Sequence, residues 1–127
     1  MKNLTRTVLL GLFALLIALP PALEAASGDR FAAVAYSPKT GRYGYGINYP
    51  TKAQAIARAK RECGRGATAT NWCKNAWIAL AISDSSPGGW GSGWGNTEAE
   101  ARASARRECL ARNPDARVIV CVSATGN

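Results

Sequence analysis

Read for its apolar and polar positions, the chain from residue 31 onward shows one pattern twice. Phe31–Ser37 and Trp77–Ser83 are short runs of mainly small apolar residues bounded by turn formers, the pattern of a strand. Ser37-Pro-Lys-Thr-Gly41 follows the first run and Asp84-Ser-Ser-Pro-Gly-Gly89 the second, and both predict turns into a further strand. These second strands carry alternating glycine and aromatic residues, within Gly41–Tyr49 and Gly88–Gly95. Thr51 then stands three residues before Gln54, and Thr97 three before Glu100. Each pair predicts a capping box, in which the threonine oxygen satisfies a free N–H of the first helical turn. Alanines at 53, 55, 57 and 59, and again at 99, 101, 103 and 105, favour helix and leave small side chains that let it lie close to a sheet. A β-prone stretch after each helix, clearest in Arg117–Cys121, completes the unit.

Laid over one another, residues 31–76 and 77–124 match at an offset of 46 through the helix, where Cys63 falls on Cys109. Cys73 falls on Cys121 at an offset of 48, so the second copy holds two additional residues after its helix. The expected fold class is therefore α+β: a tandem duplication of a strand-strand-helix-strand unit, about six strands with two helices on one face of the sheet. Two copies are too few for an open solenoid, so they are expected to share one core in a single domain.

Ahead of the repeat, Lys2 and Arg6 precede Val8–Leu19, an unbroken apolar run of 12 residues. A bilayer-spanning helix needs about 20 residues, whereas a signal-peptide core needs only about 7–15. Pro20, Pro21 and the small residues beyond them predict cleavage near Ala25 or Ala26. Residues 1–26 are thus expected to be a signal peptide and 27–127 the exported domain, periplasmic or secreted, with no stable membrane anchor. No cysteine precedes Cys63, so the expected mature amino end lacks a thiol for lipid attachment.

Charge and cysteine content extend this picture. The chain has 16 Lys plus Arg against 8 Asp plus Glu, a formal net charge of +8, which becomes +7 once Lys2, Arg6 and Glu24 are removed. This balance favours acidic partners, either an extracytoplasmic protein or an anionic envelope polymer; nucleic acid is not expected outside the cell. Four cysteines in a small exported domain predict disulfides that supplement a modest core. Of the three possible pairings, we expect Cys63 with Cys73 and Cys109 with Cys121, each clamping a helix end to the following strand. No metal or cofactor is expected, since histidine is absent and no two cysteines are spaced for a zinc site.

The combination of Ala33-Val-Ala-Tyr-Ser-Pro-Lys-Thr-Gly-Arg-Tyr-Gly-Tyr-Gly46, Tyr49-Pro-Thr with an alanine-rich helix ending in Cys63, Asn75-Ala-Trp-Ile-Ala-Leu-Ala81 and Gly89-Trp-Gly-Ser-Gly-Trp-Gly95 resembles the small secreted bacterial family catalogued as domain of unknown function 4189. The resemblance covers essentially all of residues 27–127. It implies export and a compact cysteine-containing α+β domain, and carries over no catalytic residues. The family often has a further cysteine where this chain has Trp77, so a family-wide disulfide pattern does not transfer directly.

Most hydrolytic and transfer reactions at neutral pH need a general base or an activated nucleophile, and this chain has no histidine to serve as one. Glu62 and Glu108 occupy equivalent Arg-Glu-Cys positions and raise the prospect of a carboxylate pair of the kind glycosidases use. The plainer account of Glu62 is a helix-surface pair with Arg58. The stronger candidates are Tyr43, Tyr45, Tyr49, Trp90 and Trp94, whose rings, uncovered by neighbouring glycines, can stack on sugars or anchor a protein. Against that, they can simply cover the sheet while the glycines permit turns or bulges. Arg58 and Arg61, with Arg65, form one basic stripe, and Arg102 and Arg106 another. The expected function is that of an exported non-catalytic binding module, for instance an inhibitor or immunity-type protein of the envelope. The alternatives are a basic protein that binds cell wall or anionic glycan, and a small envelope hydrolase using Glu62 and Glu108.

Overall fold

In the computed structural model, which describes residues 28–126, every expected element forms. In chain order they are β1 (Phe31–Tyr36), β2 (Tyr43–Tyr49), α1 (Lys52–Cys63), β3 (Ala69–Lys74), β4 (Trp77–Ile82), β5 (Trp90–Gly95), α2 (Glu98–Leu110) and β6 (Arg117–Ser123). The apolar amino-terminal run and the expected cleavage site lie outside the described residues. No helix of the described residues is long and apolar enough to cross a membrane.

The six strands form two antiparallel three-stranded sheets, β2-β1-β3 and β5-β4-β6, rather than one. The reason lies in the central strands. Ala32, Val34 and Tyr36 on one face of β1 join Ile78 and Leu80 of β4 in a core between the sheets. On the other face, Ala33 and Ala35 pack against Ala55, Ala59 and Cys63 of α1. Ala79 and Ala81 do the same against Ala101, Ala105 and Cys109 of α2. Strands apolar on both faces need cover on both. The result is four layers, helix-sheet-sheet-helix, with the helices on opposite outer faces instead of side by side on one.

Both helices start where expected: Thr51 Oγ1 accepts from Gln54 N–H and Thr97 Oγ1 from Glu100 N–H, each at 3.2 Å. The Glu100 carboxylate reaches back to the N–H of Asn96 at 2.9 Å. Gly64, with φ of 82°, ends α1, so Arg65 lies beyond the helix and outside the expected basic stripe. The glycines of β2 and β5 are neither turns nor bulges. A Cβ on Gly44 would strike the Ala59 carbonyl oxygen, and one on Gly91 the Cys109 backbone nitrogen. They leave room for the helices to lie directly on the strands.

The edge strands differ. In β2 the pairing steps from Ala33↔Gly46 to Phe31↔Tyr49, an irregularity that contains Asn48 at a φ of 61°. In β6 it steps from Leu80↔Val120 to Ala81↔Val118, leaving Ile119 as an extra residue. Pairing along β3 and β5 is uninterrupted. Since β2 faces β6 and β3 faces β5, one side of the sandwich has two bulged edges and the other two regular ones.

The expected disulfides are absent: all four cysteines are free thiols. Cys73 pairs with Ala32 and points into the core between the sheets, whereas Cys63 lies on the opposite face beneath α1. Cys109 and Cys121 share the α2 side of their sheet but sit at opposite ends of the helix. Cys109 Sγ is 3.6 Å from the Asp115 carbonyl, and Cys121 Sγ is 3.8 Å from that of Glu98. The stretch of α2 from Glu98 to Cys109 spans about 16 Å at 1.5 Å per residue, while a disulfide joins Cα atoms within about 7 Å. Burial raises the pKa of all four thiols, that of Cys73 to about 11.

Candidate binding groove

Where β3 and β5 face one another, the two regular edges border an open, largely apolar groove of about 470 Å³ lined by Asn71, Trp72, Cys73, Lys74 and Trp94. Each residue is placed by strand alternation. Trp94 pairs with Ile78 and so projects from the inner face of β5, where the opposing sheet covers it only in part; at 57% exposure it is the most open large apolar side chain among the described residues. Trp72 pairs with Ala33 and projects from the outer face of β3. Its ring lies 6.1 Å from that of Phe31, and Lys52 Nζ stands 4.2 Å above it, a cation–π contact that holds it from the solvent side. Lys74 borders the groove with its ammonium 4.0 Å from Asp29, whose carboxylate also accepts from Asn75 Nδ2 at 3.0 Å. Trp94, the inward Asn71 and Cys73 of β3 and the edge residues Trp72 and Lys74 thus border one hollow that suits a flat or apolar group.

A second hollow, about 350 Å³, lies on the other side of β5. Trp94 and Gly95 border it together with Glu100, Ser104 and Arg107 of α2. Trp94 therefore belongs to both hollows.

The other aromatic candidates lie elsewhere. Tyr43 and Tyr45 are exposed on β2, and the bulge there turns Tyr49 toward α1, where it borders a hollow of about 260 Å³ with Arg58 and Glu62. Trp90 is partly buried, with the Arg112 guanidinium 5.7 Å from its ring centre. β2 and β5 are edges on opposite sides of the sandwich, so the tyrosine and tryptophan hairpins do not form one surface. Sequence reasoning missed Trp72, Asn71, Lys74 and Lys52. A lone tryptophan in a short strand gave no signal comparable to the glycine-aromatic alternation, and only the approach of the two sheets brings it near Trp94.

The charged candidates form local pairs. Glu62 binds Arg58 at 2.5 Å and raises its pKa, and Glu98 binds Arg102 at 2.9 Å. Arg61 is exposed on α1. Arg106 is exposed on α2 and borders a hollow of about 370 Å³ with Arg102 and Arg117. Arg117 is held by Asp84 through two contacts of 2.9 Å, and it lowers the pKa of that carboxyl. Glu62 and Glu108 stand on different helices, on opposite outer faces. Two stacked sheets alone separate those faces by about 10 Å, and a glycosidase pair needs carboxylates about 5–9.5 Å apart. The fold does not bring them together. Among the described residues no cluster of cysteines and carboxylates is able to hold a metal ion.

No curated protein matches the chain, and no solved structure does. A family model does match, and it spans residues 31–123, from the first residue of β1 to the last of β6. The two hairpins, both helix seats and the residues of the groove all fall within that span, and the chain belongs to the family described as domain of unknown function DUF4189.

Proposed function

We propose that this protein is an exported, non-catalytic binding module that holds a protein partner in the groove between β3 and β5, acting as an inhibitor or immunity-type protein outside the cytoplasm. The observation that carries this reading is the pair Trp72 and Trp94 on facing sheet edges, one ring held in place and the other exposed. Exposed tryptophans beside a preformed hollow supply much contact area at little entropic cost, and such residues dominate binding energy where they occur. Export is supported by the basic start and 12-residue apolar run of the amino terminus. The matching element order and sheet order of the two halves support an origin by duplication. The test is capture from an envelope fraction by the purified protein and by its Trp72→Ala and Trp94→Ala variants. Both variants are expected to lose the partner, and equal capture by all three would remove the groove from consideration.

A second reading, binding of an anionic envelope polymer, rests on the hollow shared by Arg102, Arg106 and Arg117. Salt separates the two. Binding led by exposed arginines fades steeply between low and moderate ionic strength, whereas a complex anchored by tryptophan persists.

A further inference from the structure

We propose that the free edge of β5 takes up an extended, acidic segment of another protein as an added strand. This rests on the groove being a binding site, and it deepens that reading by naming the chemistry bound.

Three features single out β5. First, it is the unprotected edge. Sheet edges are commonly blunted by bulges, charges or proline. β2 and β6 are bulged and β3 ends in Lys74, whereas Trp90–Gly95 has no charge, no proline and no break in register. Second, the edge lies between hollows of about 470 and 350 Å³ that meet at Trp94. Successive side chains of a strand point to opposite faces, so a segment paired with β5 sends alternate residues into one hollow and then the other. Gly91, Gly93 and Gly95 seat α2 directly on the strand, so the outer hollow opens beside Gly95, between Trp94 and the Glu100–Arg107 face of α2. Third, the charges favour acid. Arg107 in the outer hollow makes no ion pair among the described residues, while its neighbour Glu100 is engaged with the Asn96 N–H. Lys74 borders the inner hollow but is already partnered by Asp29, so the acidic preference rests on Arg107 and on the chain's net charge of +8. The segment that fits has apolar residues entering the inner hollow beside Trp94, alternating with Asp or Glu facing Arg107. A second copy of this chain is the poorer occupant, because it would bring another strongly basic surface, Arg107 included, to the same edge.

The test is an array of random octapeptides probed with the purified protein. Enriched peptides are expected to alternate apolar and acidic residues. N-methylation of one alternate set of their amides should weaken binding at least tenfold while the other set tolerates it, since only one set faces β5. Trp94→Ala and Arg107→Glu should each weaken the best peptide at least tenfold, and circular dichroism verifies that both variants keep their fold. In the complex, Gly91–Gly95 amides should exchange more slowly. No enrichment, enrichment indifferent to N-methylation, or pairing of two copies through β5 would each overturn strand addition. Of these, indifference to N-methylation with continued dependence on Trp94 leaves the groove reading intact. Capture that survives both Trp72→Ala and Trp94→Ala removes both.

Discussion

The two halves of the molecule use one construction and finish it differently. In each, an alanine-alanine-cysteine stripe on the helix, Ala55-Ala59-Cys63 or Ala101-Ala105-Cys109, lies on a central strand of small residues beside a glycine-bearing hairpin strand. The registers make the correspondence explicit: Val34 pairs with Tyr45 where Leu80 pairs with Ser92, so Tyr43 stands in the place of Trp90 and Ile47 in that of Trp94. What faces the helix is alike in the two halves and what faces away differs. The helix side tolerates nothing larger than glycine, because backbone meets backbone there, while the other side opens to solvent at the edge. The difference separates the positions that build the fold from those free to bind.

The largest expected effect tests the shared construction. Gly44→Ala and Gly91→Ala should each destabilise the fold by about 3 kcal/mol, because the new methyl meets helix backbone that cannot move aside. Denaturant midpoints measure this. If one half tolerates the change, the halves do not share the same helix seat.

Next in size is an effect of one core position, Cys73, where the second half has no titrating counterpart. Burial pushes the Cys73 thiol up to about 11 from its ordinary 9.0. A raised pKa in the folded state means that the thiol's stabilising effect is complete below pH 9 and is lost as pH rises toward 11. The loss should be on the order of 2–3 kcal/mol. The register equivalent in the second half is Val122, which does not titrate. Cys73→Ala, compared with the parent from pH 8 to 11, should reduce the slope of the profile, while the Cys63, Cys109 and Cys121 thiols, also raised by burial, keep part of it.

A smaller contrast concerns the serine that ends each first strand. Ser83 Oγ donates to Asp115 at 2.5 Å and accepts from Ser86 N–H at 3.0 Å, while Ser37 Oγ is buried without a partner. Ser83→Ala should cost about 1–2 kcal/mol, and Ser37→Ala should be neutral or stabilising, because it removes an unsatisfied group. The hydrogen bond from Ser83 holds the Asp115 carboxyl below its ordinary pKa. This contribution is present above the usual carboxylate range and disappears as pH falls through the lowered pKa, so Ser83→Ala should also reduce sensitivity to acid. The smallest effect returns to likeness: Thr51→Ala and Thr97→Ala should each cost about 1 kcal/mol in thermal unfolding, since both remove the same cap.

The cysteines mark where reading residues in order stops being enough. Matching Cys73 with Cys121 at an offset of 48 looked natural, but Ala33 pairs with Trp72 and Ala79 with Cys121, so Trp72 is the register equivalent. The extra residue at Ile119 shifts the count by one. A shift of one residue in a strand moves a side chain to the other face of the sheet. Cys73 thus lies in the central core, away from Cys63 on the other face, while Cys121 lies beneath α2 but at the opposite end of the helix from Cys109, and a linear comparison contains neither fact.

The sequence by itself determined the local elements: strand runs apolar on both faces, threonines three residues before their capping partners, and alanines and glycines small enough for close contact. These are short-range properties, decided by neighbours within a turn or two. Tertiary structure decided that the strands form two sheets rather than one, that the helices take opposite outer faces, and that Trp72 and Trp94 border one hollow. Those outcomes depend on which apolar face covers which, and residues distant along the chain settle that together when they bury the same core.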